Sequence, residues 1–106
     1  MLTDPLTIVR KQDPPSRMKS SYLLPPFPNP AATKISFQLH LDESDVITLT
    51  VVDALGKEVG RLMTNERLNN GDHIFMFSTA ELSSGTYYVI LSSSLGKDTK
   101  AFNVIR

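Results

Sequence analysis

The sequence contains no cysteine, so disulfides and thiolate metal sites are excluded. It also lacks an excess of either charge: eleven Lys and Arg balance eleven Asp and Glu, for a formal net charge of zero. A nucleic-acid binder usually carries a basic stripe, and a membrane-surface binder a cationic face. The balance argues against both, so no nucleic-acid partner and no membrane insertion are expected. No apolar run approaches the ~20 residues needed to span a bilayer. The opening Met1-Leu2-Thr3-Asp4-Pro5 lacks the basic start and the roughly 7–15-residue apolar stretch of a secretory signal. The chain is therefore expected to be either cytosolic or a piece of something longer.

Proline is missing from everything after residue 30. All seven prolines (Pro5, Pro14, Pro15, Pro25, Pro26, Pro28 and Pro30) fall in the first thirty residues. Proline has no backbone donor and restricts its predecessor, so this stretch reads as extended linker or edge rather than core. Leu6–Val9 is one short candidate strand, and Lys11–Ser21 has the polar composition of a tether. The expected division is a Pro-rich linker over 1–24 and a folded domain over 25–106.

From Thr33 onward the apolar residues alternate with period two and no stretch has helical period. Lys34–Leu41 places Ile35, Phe37, Leu39 and Leu41 on one face. Val46–Val52 does the same with Ile47, Leu49 and Val51. Further strands are expected at Lys57–Met63 with Val59 and Leu62, at His73–Ser78 with Phe75 and Phe77, at Gly85–Ser93 and at Asp98–Ile105. Turns fall at Asp42–Asp45, at Asp53–Gly56, at Asn69–Asp72 and at Leu95–Lys97; Thr79–Ser84 is a crossing loop. Short strands at this spacing predict an all-β, antiparallel sandwich or barrel. Leu82, Tyr87, Val89, Leu91, Phe102 and Val104 complete the expected core. A domain this small needs its interior for packing, so no cofactor pocket is expected.

Groups suited to catalysis are scarce. The two histidines, His40 and His73, read as strand-surface and strand-end residues. No H-E-x-x-H, G-x-S-x-G or glycine-rich phosphate loop occurs. Asp42, Glu43 and Asp45 lack the spacing and glycine of an EF-hand and read as a solvated turn. The serine clusters at Ser83-Ser84 and Ser92–Ser94 have no base nearby in sequence and fit turn chemistry. The expectation is a protein that is not an enzyme and has no cofactor and no metal.

The segment Leu82-Ser83-Ser84-Gly85-Thr86-Tyr87-Tyr88-Val89-Ile90 resembles a sandwich strand with a tyrosine corner, as in fibronectin type III domains. On that template the corner is Tyr88. Other segments resemble the C-terminal sorting domain of type IX secretion cargo proteins. Phe27-Pro28-Asn29-Pro30 before Thr33–Phe37 is similar to that family's opening. Val51–Val59, with Gly56, Glu58 and Val59, is similar to its "G-x-E-V" segment. Asn70–Phe77 matches its "G-x-H" strand, and Leu82–Leu91, with Gly85, its "L-x-x-G-x-Y" segment, which selects Tyr87 instead. Lys100-Ala101-Phe102-Asn103-Val104-Ile105-Arg106 is similar to its closing strand. Asn103 and Ser78 depart from the pattern, standing where an apolar residue and an Asp are usual. The immunoglobulin-like module of the flagellar hook-capping protein has overlapping patterns.

The resemblance implies an immunoglobulin-like sandwich of six to seven strands that acts as an address. Cargo fused upstream is carried to the periplasm by a separate signal. The domain is then read by the outer-membrane translocon, and a sortase cuts within residues 10–25, leaving the cargo at the cell surface or secreted. Recognition is expected to involve Pro28, Asn29, Pro30, Gly56, Glu58, Gly85, Tyr87, Lys100, Phe102, Val104 and Arg106. The closing strand is the first choice for contact, through its edge. Edge pairing also allows a dimer. The rival reading is an adhesive or carbohydrate-binding module using Tyr22, Phe27 and Tyr88.

Overall fold

The computed structural model describes residues 19–106. The expected strand at Leu6–Val9 and most of the tether lie outside the described residues. Seven strands succeed one another among the described residues: β1 (Ser21–Leu23), β2 (Lys34–Leu41), β3 (Asp45–Asp53), β4 (Glu58–Leu68), β5 (Gly71–Ser78), β6 (Gly85–Ser93) and β7 (Gly96–Val104). They form two antiparallel sheets, β1-β2-β5 and β4-β3-β6-β7. This is an immunoglobulin-like sandwich.

The alternation seen in the sequence places the core. Ile35, Phe37, Leu39 and Leu41 from β2 face Ile47, Leu49 and Val51 from β3, and all are buried. Val89 and Leu91 of β6 and Phe102 and Val104 of β7 complete the interior. Aromatic rings knit the sheets together: Phe37 lies 5.5 Å from Phe102, and Phe102 lies 5.9 Å from Tyr87, within the range of favourable ring pairs. Val59, Leu62, Phe75, Phe77 and Leu82, expected inside, pack against this core half-buried. Leu23, Ala31 and Met63 are core residues that the alternation did not select.

Two differences from the sequence reading have clear causes. First, the sheet begins before Pro25, inside the stretch read as linker. Ser21–Leu23 pair with Leu39–Leu41, and Leu23 is buried; prolines two residues later do not stop a short edge strand from pairing. Second, β4 is longer than Lys57–Met63 and its register slips. Val52 pairs with Glu58 but Val51 with Gly60, and Thr50 pairs with Arg61 but Leu49 with Met63. Val59 and Leu62 are thus extra residues of β-bulges, which change the facing of the residues beyond them. Met63 turns inward as a result. Gly60 also faces the core, where a Cβ would stand 2.5 Å from the Phe77 ring. Only glycine admits that ring without a shift.

Candidate recognition surface

Strand pairing brings the expected recognition residues to one half of the sandwich. Asp53 pairs with Tyr87 and Tyr87 with Phe102. The row beyond the middle therefore holds the β3–β4 turn, the start of β6 and the end of β7. Gly56, Glu58, Gly85, Val104 and Arg106 all belong to this end. Lys100 lies nearer the middle, opposite Val89 on the inward side of β7, and is half-buried.

Within this group the structure separates interior from surface. Tyr87, Phe102 and Val104 are buried. The Tyr87 hydroxyl donates to the Ser83 carbonyl at 2.7 Å, the tyrosine-corner bond. Tyr88 is half-buried and pairs with Ala101, so the fibronectin-template assignment of the corner to Tyr88 gives way to Tyr87. The reason is parity: the corner ring must share the inner face with Val89 and Leu91. Gly56 adopts φ +86 at the β3–β4 turn, a conformation open to glycine at little cost. Asp53 Oδ1 secures the same turn, accepting from the Leu55 and Lys57 amides at 2.9 Å.

Glu58 is exposed and bound to Arg61, whose Nη2 donates to Oε1 at 2.7 Å and whose Nε donates to Oε2 at 3.1 Å. Residues three apart on a regular strand point to opposite faces; the bulge at Val59 restores them to one face. The Arg61 bond, followed by the weight of its charge, holds the Glu58 carboxyl below its usual range. The partner is therefore an arginine of the same strand.

The Pro28-Asn29-Pro30 arm is exposed but tied down. It leaves the first sheet where Phe27 bridges Ser36 and reaches the second where Ala31 bridges Val104. Asn29 Oδ1 accepts from the Asn103 amide at 2.9 Å. The Ala31 amide donates to the Asn103 carbonyl at 2.8 Å, and the Ile105 amide donates to the Ala31 carbonyl at 2.9 Å. The closing strand's outer edge is thus occupied at Asn103 and Ile105. This is why Asn103 departs from the apolar pattern without penalty: its side chain is exposed and accepts from Thr86 Oγ1 at 2.9 Å.

Arg106 closes this end. Its Nε donates to the Leu82 carbonyl at 2.8 Å, Nη1 to the Ala32 carbonyl at 2.6 Å, and Nη2 to the Thr79 carbonyl. Its amide donates to Ser84 Oγ at 3.0 Å. One guanidinium joins the arm, the β5–β6 crossing loop and the chain's last residues. Thr79, fully buried in that loop, was not singled out in the sequence. Nor were the three carbonyls, because a backbone acceptor leaves no mark in side-chain identity.

The opposite end carries a separate polar cluster. His40 lies between two carboxylates, with Nδ1 2.6 Å from Asp72 Oδ1 and Nε2 2.9 Å from Asp42 Oδ1. Asp42 also accepts from the amide and hydroxyl of Ser20 at 2.9 Å, and the Tyr22 ring lies 5.3 Å from His40. The two carboxylates sit on opposite ring nitrogens and do not converge on a point a cation could fill. No cavity is found among the described residues, nor any group of His, Asp and Glu arranged for a metal.

A family model described as a secretion system C-terminal sorting domain matches residues 26–105. None of the curated proteins matches the sequence. Among solved structures, the chain is similar to a hypothetical protein from Pyrococcus horikoshii at 13% identity and a TM-score of 0.39, over 77% of this chain and 87% of that one.

Proposed function

The chain belongs to the secretion system C-terminal sorting domain family, that of type IX secretion, and from this we propose that it delivers a fused upstream cargo by presenting one end of its sandwich to the translocon. The family is one of sorting signals, in general non-catalytic, whose members engage the secretion machinery and direct export to the cell surface or secretion. The finer reading is that recognition falls on the composite of the Pro28-Asn29-Pro30 arm, the Asn103–Arg106 terminus and the Glu58 turn. A sortase then cuts upstream of the sandwich, leaving the cargo outside and discarding the domain.

The observation that supports this reading is the bond from the Asn103 amide to Asn29, with Arg106 bonded to the Ala32 carbonyl beside it. Two segments that the family pattern places at opposite ends of the sequence form one continuous surface. Tyr87, Phe102 and Val104 then serve recognition only indirectly, by supporting that surface from beneath. The first described residues, Lys19 and Ser20, lie at the opposite end, beside Glu43 and Asp42.

The test is a reporter with an export signal fused to the full chain in a type IX-competent cell. Deleting Lys100–Arg106 is expected to abolish surface delivery; Asn29→Ala, which removes one exposed acceptor and no core contact, is expected to reduce it. Delivery undiminished in both variants would overturn the assignment of the surface. An adhesive or carbohydrate-binding role predicts instead glycan affinity lost on Tyr88→Ala.

A further inference from the structure

A bare sheet edge is a template for another strand, and proteins guard their edges with short strands, prolines, charges, bulges or covering segments. Among the described residues, three of the four edges are guarded. β1 is three residues long and runs into Pro25 and Pro26. β4 carries its register slips together with four charged side chains. β7 is covered at Asn103 and Ile105 by the arm, and its Asp98 side chain accepts from the outward-facing Leu23 amide at 2.7 Å.

Among the described residues, β5 keeps only one of these protections, the charge of Asp72 near its start. Its pairing with β2 runs from Lys34↔Ser78 to Leu41↔Gly71 without a slip, and it contains no proline, lysine or arginine. Ser36 exchanges backbone bonds with Phe27, and the Gln38 carbonyl accepts from Leu24, so these residues turn their backbone toward β1. Their neighbours in β2 turn toward β5 and engage Phe75, Phe77 and the other odd-numbered residues there. The amides and carbonyls of Asp72, Ile74, Met76 and Ser78 are left pointing outward, with no backbone partner among the described residues. Above them, on the outer face, Ile74 is 57% exposed and Met76 62% exposed.

We propose that this edge is a self-association surface, to which a second copy of the chain adds its own β5 in antiparallel register about a two-fold axis at Phe75. One symmetric register uses all four outward residues. It sets Ile74 opposite Met76 of the partner subunit, and Asp72 opposite Ser78 of the partner subunit. Each such pair exchanges two backbone bonds, so on the order of eight form across the interface. Self-pairing is favoured over a foreign strand by the match of side chains. The two apolar residues meet each other, no like charges oppose, and Lys34, paired with Ser78, stands one strand from the partner's Asp72. Centring the axis on Ile74 or Met76 leaves at least one outward residue unpaired, and shifting it to Asp72 sets two carboxylates face to face. Only Ser78 of this surface adjoins the proposed recognition end, next to Thr79, whose carbonyl accepts from Arg106.

The experiment uses the full chain. Sedimentation equilibrium from about 1 μM to 1 mM spans the range in which weak association is visible, and a concentration-dependent dimer is expected. Ile74→Lys combined with Met76→Lys sets lysine against lysine twice and removes the apolar pairs. It is expected to weaken the dimer roughly tenfold or more, with circular dichroism confirming the fold. Because the chain has no cysteine of its own, register can be read directly. Chains with Ile74→Cys mixed with chains carrying Met76→Cys should form disulfides faster than either alone, since opposed residues stand about 5.5 Å apart and diagonal ones roughly 7–8 Å, beyond easy disulfide reach. A chain that remains monomeric throughout, a dimer unchanged by the lysines, or equal crosslinking in all three samples would overturn the proposal.

Discussion

Replacing Arg106 by alanine tests whether the end of the sandwich is held by one side chain. The guanidinium donates to three carbonyls in two separate segments, Ala32 in one and Thr79 with Leu82 in the other. Hydrogen bonds to a charged group contribute about 1.5–3 kcal/mol each, and simple addition would give too large a total. Two corrections reduce it. Ala32 is exposed and Leu82 half-buried, so water can replace the donor at their carbonyls, while the Thr79 carbonyl still accepts from the Leu82 amide at 3.0 Å. Ordering the long side chain also costs up to ~2 kcal/mol. The expected loss is about 1–3 kcal/mol. Arg106→Lys keeps the charge but not the planar fork, and should recover less than half of it. The assay is urea unfolding of the full chain, supported by melting temperature, which shifts ~4–8 °C per kcal/mol in a domain of this size. Alanine within about 0.5 kcal/mol of the parent, a bound set by the usual scatter of surface substitutions, would refute the clamp. Lysine equal to arginine would show that charge, and not the fork, is what matters.

Tyr87→Phe should cost about 0.5–1.5 kcal/mol, the value of one intramolecular hydrogen bond, because the ring keeps its place against Phe102 and only the bond to Ser83 is lost; Tyr88→Phe should be near neutral, and equal effects in calorimetry would contradict the corner assignment. Stability should also depend on His40. Its pKa is raised above the ordinary 6.5, first by the hydrogen bond to Asp72 and then by that to Asp42, because only the protonated ring donates to both. That contribution is fully present below about pH 6.5 and is lost as pH rises through the raised value. Asp42, lowered chiefly by Ser20 and then by His40, adds a contribution of opposite sense, lost as pH falls through its depressed value. Urea midpoints should therefore decline on the alkaline side, and His40→Gln should flatten that limb; an unchanged slope would exclude the histidine as its source.

How much of this could be read from the sequence depended on whether a feature lives in side chains. β2 and β6 fall at Lys34–Leu41 and Gly85–Ser93, as the alternation predicts, because each is central in its sheet and buried on one face along its length. β4 defeated the same reasoning. Its slips shift the phase at Val59 and again at Leu62, so no single period describes Glu58–Leu68. Gly60 therefore reads as an ordinary residue although it accepts the Phe77 ring. β1 was hidden for another reason: prolines around it suggest a linker, yet three residues between them suffice to pair. At the candidate site, residue types were legible and their duties were not. A terminal arginine suggests a charge offered to a partner, but here its donors are spent on the chain's own backbone.

That reversal bears on how the domain could be recognised. If Arg106 were read directly by a receptor, its three carbonyl bonds would have to break first, at a cost to the fold. If the receptor instead reads the surface that Arg106 assembles, the same bonds make recognition conditional on a finished sandwich. The second arrangement fits the geometry better, because Asn29, Asn103 and the Glu58 turn stay exposed while the guanidinium remains engaged. It also separates two outcomes in delivery experiments. Arg106→Ala should reduce delivery only to the extent that it loosens the end, and a second-site substitution that restores stability should restore delivery. Asn29→Ala, which leaves the core intact, should not be rescued in this way. Should stabilisation fail to rescue Arg106→Ala, the arginine itself would be the contact and the conditional arrangement would be wrong.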